Sequence, residues 1–299
     1  MKKLYGTGVA LITPFNPRGE VDFKSLKKIL VHTATGVDYY VVMGTTGESA
    51  TLSKEEKKSV LKFVLENNTK KLPIVYGIGG NNTQSVVDEI NATDLKGVTA
   101  LLSVSPYYNK PSQEGIYQHF KTVAQASPLP IILYNVPGRT ASNITAATTL
   151  RLASIKNIIG VKEASGNLEQ CMKIVKEKPK NFMLISGDDM LTLPIYSIGG
   201  VGVISVLANA LPQVFLKIKE NFYLGKIAQA QAAQFKLVDI NAPMYEEGNP
   251  VGVKYLMSLM GICEPYVRLP LTRPSTGLRK KIESLYKELA AIPTGRESS

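Results

Sequence analysis

A lysine stands where an apolar strand should be ending. In IIGVKEASGN, residues 158–167, Lys162 follows two isoleucines, a glycine and a valine. An ε-amino group held out of water gives up its proton more readily than a solvated one, and the neutral amine is the form that attacks a carbonyl carbon. The ordinary alternative is a lysine whose stem runs along apolar neighbours and releases its ammonium to water. Side-chain alternation favours chemistry: residues 158, 160, 162 and 164 share one strand face, Val161 and Glu163 take the other, and Gly160 removes bulk one step below Lys162. Tyr134, near the end of PIILYNV, could move protons while a carbinolamine forms and dehydrates; on its own it reads as a strand aromatic with its hydroxyl at a wet edge. Arg139 in YNVPGRT has the fork to hold a substrate carboxylate, or it pairs with a surface acid. Thr45 and Thr46 add hydroxyls, although Gly44 and Gly47 beside them also suit a plain turn.

Such groups act together only if elements bring them to one place. Eight apolar, β-branched runs recur: GTGVALIT, DYYVVMG, PIVYGIG, GVTALLSVS, PIILYNV, IIGVKEA, FMLISGD and VGVISV. They are near-continuously apolar, as parallel strands covered by helices are. Between them lie amphipathic segments with start signals: Asp22 can cap the segment from Phe23, and Ser53 with Glu56 forms a capping-box pattern. This alternation predicts an α/β fold, a (β/α)8 TIM barrel, with a doubly wound open sheet as the competing architecture. In a barrel the strand C-termini build the site, so Thr45, Thr46 and Glu48, Tyr107 and Tyr108, Tyr134 and Arg139, Lys162, the Gly187-Asp188-Asp189 turn, and Ile204 with Ser205 converge on one face. After residue 207 only helical patterns follow. The expected organisation is a catalytic barrel over 1–224 and a small helical domain over 225–299, with PTGRESS, residues 293–299, as a loose end.

Bulk properties exclude several classes. A net charge of +11 invites nucleic acid or a membrane surface as partner, but the lysines are dispersed on helix faces among glutamates, with no basic stripe interleaved with aromatics. No nucleic-acid role is expected, and the positive field suits small anionic substrates. No apolar run reaches the roughly 20 residues a membrane helix needs, and Gly6, Thr7, Thr13 and Pro14 break the stretch that could have served as a signal peptide; a cytoplasmic protein is expected. Two cysteines, Cys171 and Cys263, are too few for a disulfide framework. His32 and His119 lie on helices with no metal-ligand spacing, so no metal is expected. No phosphate loop or dinucleotide fingerprint is present, although barrels often build a phosphate cup between strands seven and eight.

GTTGESATL, SPYYNKPSQEG, YNVPGRT, IIGVKEASGN, SGDD and GVISVLAN, in this order and spacing, resemble the dihydrodipicolinate synthase family of pyruvate-dependent class I aldolases, and the likeness covers essentially the whole chain. The resemblance implies a barrel with a C-terminal helical domain, and condensation of pyruvate with L-aspartate 4-semialdehyde on the route to diaminopimelate and lysine. It implies no cofactor: pyruvate would form a Schiff base on Lys162. It makes Tyr134 the proton donor and acceptor, with Thr45 and Tyr108 completing the relay. Thr46 and the main chain at Ile204 would hold pyruvate, Arg139 the semialdehyde carboxylate, and Gly187 would form pocket wall. The tyrosine at the Tyr108 position would reach a neighbouring subunit's pocket, in a homotetramer of two tight dimers.

In lysine-inhibited members, histidines stand at the positions of Lys54 and Lys57 and a glutamate at Ser85, while Ser49, Ala50, Asn81 and Tyr107 mark the effector site. The extra positive charge and the missing carboxylate imply weak or absent inhibition by L-lysine. Two other readings stay open: another pyruvate Schiff-base aldolase acting on a sugar acid or keto acid, in the manner of N-acetylneuraminate lyase, and a barrel that has lost catalysis.

Overall fold

In the computed structural model, which describes residues 2–291, each of the eight apolar runs carries a strand: β1 (Gly6–Ala10), β2 (Tyr39–Val42), β3 (Ile74–Gly77), β4 (Ala100–Val104), β5 (Ile131–Asn135), β6 (Ile158–Glu163), β7 (Met183–Ser186) and β8 (Gly202–Ser205). The segment 293–299 lies outside the described residues. Helices alternate with the strands: α1 (Phe23–Thr33), α2 (Lys54–Asn67), α3 (Thr83–Ala92), α4 (Gln113–Ala126), the single turn α5 (Pro137–Thr140), α6 (Ala146–Ala153), α7 (Leu168–Glu177), α8 (Thr192–Ser197) and α9 (Pro212–Tyr223). Beyond the barrel come α10 (Ile227–Phe235), α11 (Val238–Asn241), α12 (Val251–Leu259) and α13 (Thr276–Ala291). The start signals act as expected: Asp22 accepts from Ser25 N at 3.0 Å, and both halves of the Ser53–Glu56 capping box form. One stretch with a helical pattern breaks into α10, α11 and a 3-10 turn at Ala242–Met244, where Pro243 has no N–H to continue a helix.

All eight strands pair in parallel as one closed barrel in chain order, and the β1–β8 pairing rules out an open sheet. That seam is sealed by a side chain. Asn209 donates to Ala10 O at 2.8 Å and accepts from Ile12 N at 3.1 Å, extending the ladder where β1 has no further strand partner. Lower on the seam, a Cβ on Gly202 would stand 1.9 Å from Gly6 O, so this approach requires glycine.

Two hydrophobic cores follow from the strand alternation. Val41, Val75, Leu102, Ile132 and Ile185 point into the barrel, whereas Val9, Tyr40, Leu101, Leu133, Val161 and Leu184 pack outward under the helices. β6 departs from strict alternation at its start. Ile158 belongs to the outer core and Ile159 packs against the inner one, because the pairing with β5 skips a residue at Ile131/Ile132. Past that irregularity, Lys162 pairs in register with Tyr134 on one side and Ile185 on the other, both residues of the inner core.

Candidate active site

The side chain of Lys162 is buried at the inner face of β6, with 6% of the residue exposed, and its Nζ lies 4.2 Å from the centroid of the Tyr134 ring. Glu163, its sequence neighbour, does not pair with it. Glu163 points outward, accepting from Asn135 Nδ2 at 2.9 Å, Ser165 N at 2.8 Å and Gln170 Nε2 at 2.9 Å, and so fastens β5, β6 and α7. Among the described residues Lys162 makes no ion pair, whereas the other buried lysine, Lys254, meets Glu48 at 2.5 Å and donates to Tyr266 O at 2.8 Å. Burial pulls the pKa of Lys254 down and Glu48 pulls it back up. A buried ammonium fixed by a carboxylate and a carbonyl is structural; an aromatic-faced amine with no carboxylate is poor construction and a good nucleophile position.

The room for Lys162 does not come from Gly160. A Cβ there would meet Met183 of β7 at 2.8 Å, so the missing side chain admits a neighbouring strand. Gly187 gives the space: its Cβ would lie 3.1 Å from Lys162 Cε, 3.2 Å from Cγ and 2.6 Å from Ala164 Cβ. Ile204, 1% exposed on β8, completes this inner wall.

Thr45 and Thr46 open a short 3-10 turn after β2 (Thr45–Gly47), bounded by Met43 and Glu48 at positive φ. Thr46 is buried and its Oγ1 accepts from Asn249 Nδ2 at 3.0 Å; Thr45 is exposed. A cavity of about 90 Å³ is lined by Thr45, Ser49, Lys57, Glu89, Val104 and Tyr134, and Lys57 Nζ stands 3.5 Å from Glu89 Oε1 within it. Two of the residues singled out for chemistry thus share a cavity with Ser49 and Lys57 of the candidate effector site. Ala50, Asn81, Lys54 and Ser85 are exposed nearby in sequence.

Arg139 is exposed on the short turn α5, where among the described residues it has no acidic partner. Tyr107 is 40% and Tyr108 87% exposed, and Tyr108 holds a φ of 74°, so its phenol projects from the loop after β4. Within one chain the fold therefore gathers Lys162, Tyr134, Thr45, Thr46, Gly187 and Ile204 at the strand ends and leaves Tyr108 outside.

Further polar residues hold the loops around this mouth, and the sequence already places Glu48 and Asp189 among the strand-end residues. Asp189 is buried, accepting from Val206 N at 3.2 Å and Leu207 N at 2.8 Å; burial pushes its carboxyl up to about 6 against those hydrogen bonds. Burial lifts the Tyr245 phenol well above its ordinary range, helped by the charges of Asp189 and Asp188 and opposed by Arg139. Glu48 also accepts from Arg268 N at 3.0 Å, and Arg268 donates to Thr51 O and pairs with Glu56 at 2.5 Å. The hydrogen bond from Arg268 holds the Glu56 carboxyl down at about 2. A lone lysine in VGVKYLMSL was a readable hint of Lys254; Asn249 and Tyr245 offered none. Burial raises both Cys171 and Cys263 to about 12, so neither is a poised nucleophile.

His32 Nε2 lies 2.9 Å from Ala210 O and His119 Nδ1 2.9 Å from Thr83 Oγ1. No helix among the described residues is long and apolar enough to cross a membrane.

A model of the dihydrodipicolinate synthetase family matches residues 3–289. A 4-hydroxy-tetrahydrodipicolinate synthase of Cytophaga hutchinsonii is 50% identical over 290 residues, covering 97% of this chain and 98% of the relative. Among solved structures, a dihydrodipicolinate synthase variant described as monomeric superposes with a TM-score of 0.93 at 34% identity, covering 96% of this chain and 97% of the other. The enzyme of Cyanidioschyzon merolae with lysine bound gives 0.92 at 36% identity, covering 96% and 99%.

Proposed function

Because the chain belongs to the dihydrodipicolinate synthetase family, we propose that it is a 4-hydroxy-tetrahydrodipicolinate synthase, a Schiff-base-forming lyase that condenses pyruvate with L-aspartate 4-semialdehyde in diaminopimelate and lysine biosynthesis. The observation that carries the mechanism is the buried Lys162 amine, 4.2 Å from the Tyr134 ring and free of any carboxylate partner among the described residues.

Lys162 Nζ adds to the pyruvate carbonyl, and the carbinolamine loses water to give the imine. Loss of a methyl proton forms the enamine, whose carbon attacks the aldehyde. The amine of the second substrate then displaces Lys162 and closes the ring. No cofactor enters, since the protonated imine is itself the electron sink. Tyr134, at 7% exposure, is the group close enough to the nitrogen to give and take these protons, and Thr45 shares its cavity. The buried Thr46 and the Ile204 main chain line the pyruvate end beside Gly187, while Arg139, without an acidic partner among the described residues, is available for the semialdehyde carboxylate.

The projecting Tyr108 suits a relay residue delivered to a second copy of the chain, and we read the working form as a homotetramer of two tight dimers, located in the cytoplasm. One structural neighbour is a monomeric variant, so assembly varies among these proteins.

Borohydride reduction in the presence of pyruvate, followed by peptide mapping, tests the mechanism: the adduct is expected on Lys162 and to vanish in Lys162→Ala. No adduct in the parent protein, or one on another lysine, overturns it. Lys57, paired with Glu89 in the cavity beside Ser49, adds a cation where a cationic effector would have to sit. L-Lysine is therefore expected to inhibit weakly or not at all; an inhibition constant in the sub-millimolar range contradicts this.

A further inference from the structure

The turn that carries Thr46 is held by residues from far along the chain. Thr13 Oγ1 donates to Gly47 O at 2.7 Å, Lys254 and the Arg268 N–H hold Glu48, and Asn249 donates to the Thr46 hydroxyl itself. The first three contacts fix the backbone of the turn. The fourth fixes something finer, the direction of one hydroxyl proton.

Thr46 is 2% exposed and Asn249 7% exposed, so neither relies on bulk water to complete its hydrogen bonds. A threonine hydroxyl has one proton to give and lone pairs to accept with. With the amide oriented so that Asn249 Nδ2 occupies the accepting side at 3.0 Å, the Thr46 hydroxyl donates no hydrogen bond among the described residues. Asn249 Oδ1 is also fully buried without a partner among the described residues. Buried polar groups in native proteins are nearly always satisfied, so a pair with an unused donor and an unused acceptor is built for a partner that is not part of the chain.

We propose that Asn249 is a positioning residue: by donating to Thr46 Oγ1 it turns the hydroxyl proton towards the pyruvate carboxylate. This rests on the reading that Thr46 contacts pyruvate. The helical segment after the barrel then takes part in substrate binding through one amide. An amide serves better here than an apolar residue, which would leave the Thr46 hydroxyl free to rotate. It also serves better than a carboxylate, which would claim the hydroxyl proton for itself and repel the anionic substrate.

A double-mutant cycle in the full-length protein tests this. Asn249→Ala and the milder Asn249→Ser are each expected to raise the KM for pyruvate about tenfold, with kcat and the KM for the semialdehyde changing less than about threefold. Thr46→Val is expected to raise the pyruvate KM at least as much, and Asn249→Ala with Thr46→Val to be no worse than Thr46→Val alone, since the amide acts only through the hydroxyl. Multiplying effects in the double variant would overturn the proposal. So would an unchanged pyruvate KM in either Asn249 variant, whether or not its melting temperature falls, because that is the mark of a purely structural amide. Borohydride trapping at saturating pyruvate keeps the two readings apart: the parent and the Asn249 variants should all label Lys162, and failure of the parent to do so indicts the assigned reaction instead.

Discussion

Lys162 and Gly187 together show how a single missing side chain can make a reactive one usable. The lysine was legible from its place at the end of an apolar run, and Tyr134 from its place on the preceding strand. The source of the space was not legible, because it depends on which glycine of the next strand end faces the amine. Gly187→Ala places a methyl within 3.1 Å of Lys162 Cε and 2.6 Å of Ala164 Cβ. Displacing the amine by a fraction of an ångström is expected to lower kcat/KM about 100-fold while the protein stays folded. Steady-state kinetics alongside circular dichroism would check this; parent-like activity in the variant would show that Lys162 has room to spare. Glu163 carries the complementary lesson. Adjacent to Lys162 in sequence and opposite in charge, it faces the helices, because successive strand residues point to opposite sides.

At the scale of elements, the strand pattern was readable because parallel strands buried on both faces are nearly all apolar, and every one of the eight runs carries its strand. The connections were less readable. The helical run after residue 227 splits around Lys236 and Pro243, and the β5–β6 irregularity leaves no trace in composition. His119 is a packing residue of α4, in edge-on contact with Phe120 and bonded to Thr83 on α3. Burial lowers its imidazole from the ordinary 6.5 to about 4. A depressed folded-state value means that the unfolded chain takes up the proton first, so this stability is complete above pH 6.5 and is lost as pH falls towards 4, by roughly 3 kcal/mol. Urea unfolding at pH 7 and at pH 4.5 should show a smaller loss for His119→Gln than for the parent, and equal losses would refute the assignment.

For the whole molecule, contacts between the segment after the barrel and the turn after β2 are the part no local pattern announces: Asn249 and Thr46 are 203 residues apart, and Lys254 and Glu48 206. Replacing Lys254 with Met leaves Glu48 buried without its cation and is expected to cost about 3–5 kcal/mol, with part recovered when Glu48→Gln is added; no recovery in the double variant would mean that packing, not charge, dominates. The Asn209 seam carries a different kind of consequence, one of timing. On the ribosome, the β8 strand that β1 must pair with and the amide that seals the join are made some two hundred residues after β1 itself. Over that interval the nascent chain carries an open strand edge that any neighbour could extend, so the hazard facing this protein at birth is premature pairing with another copy of itself.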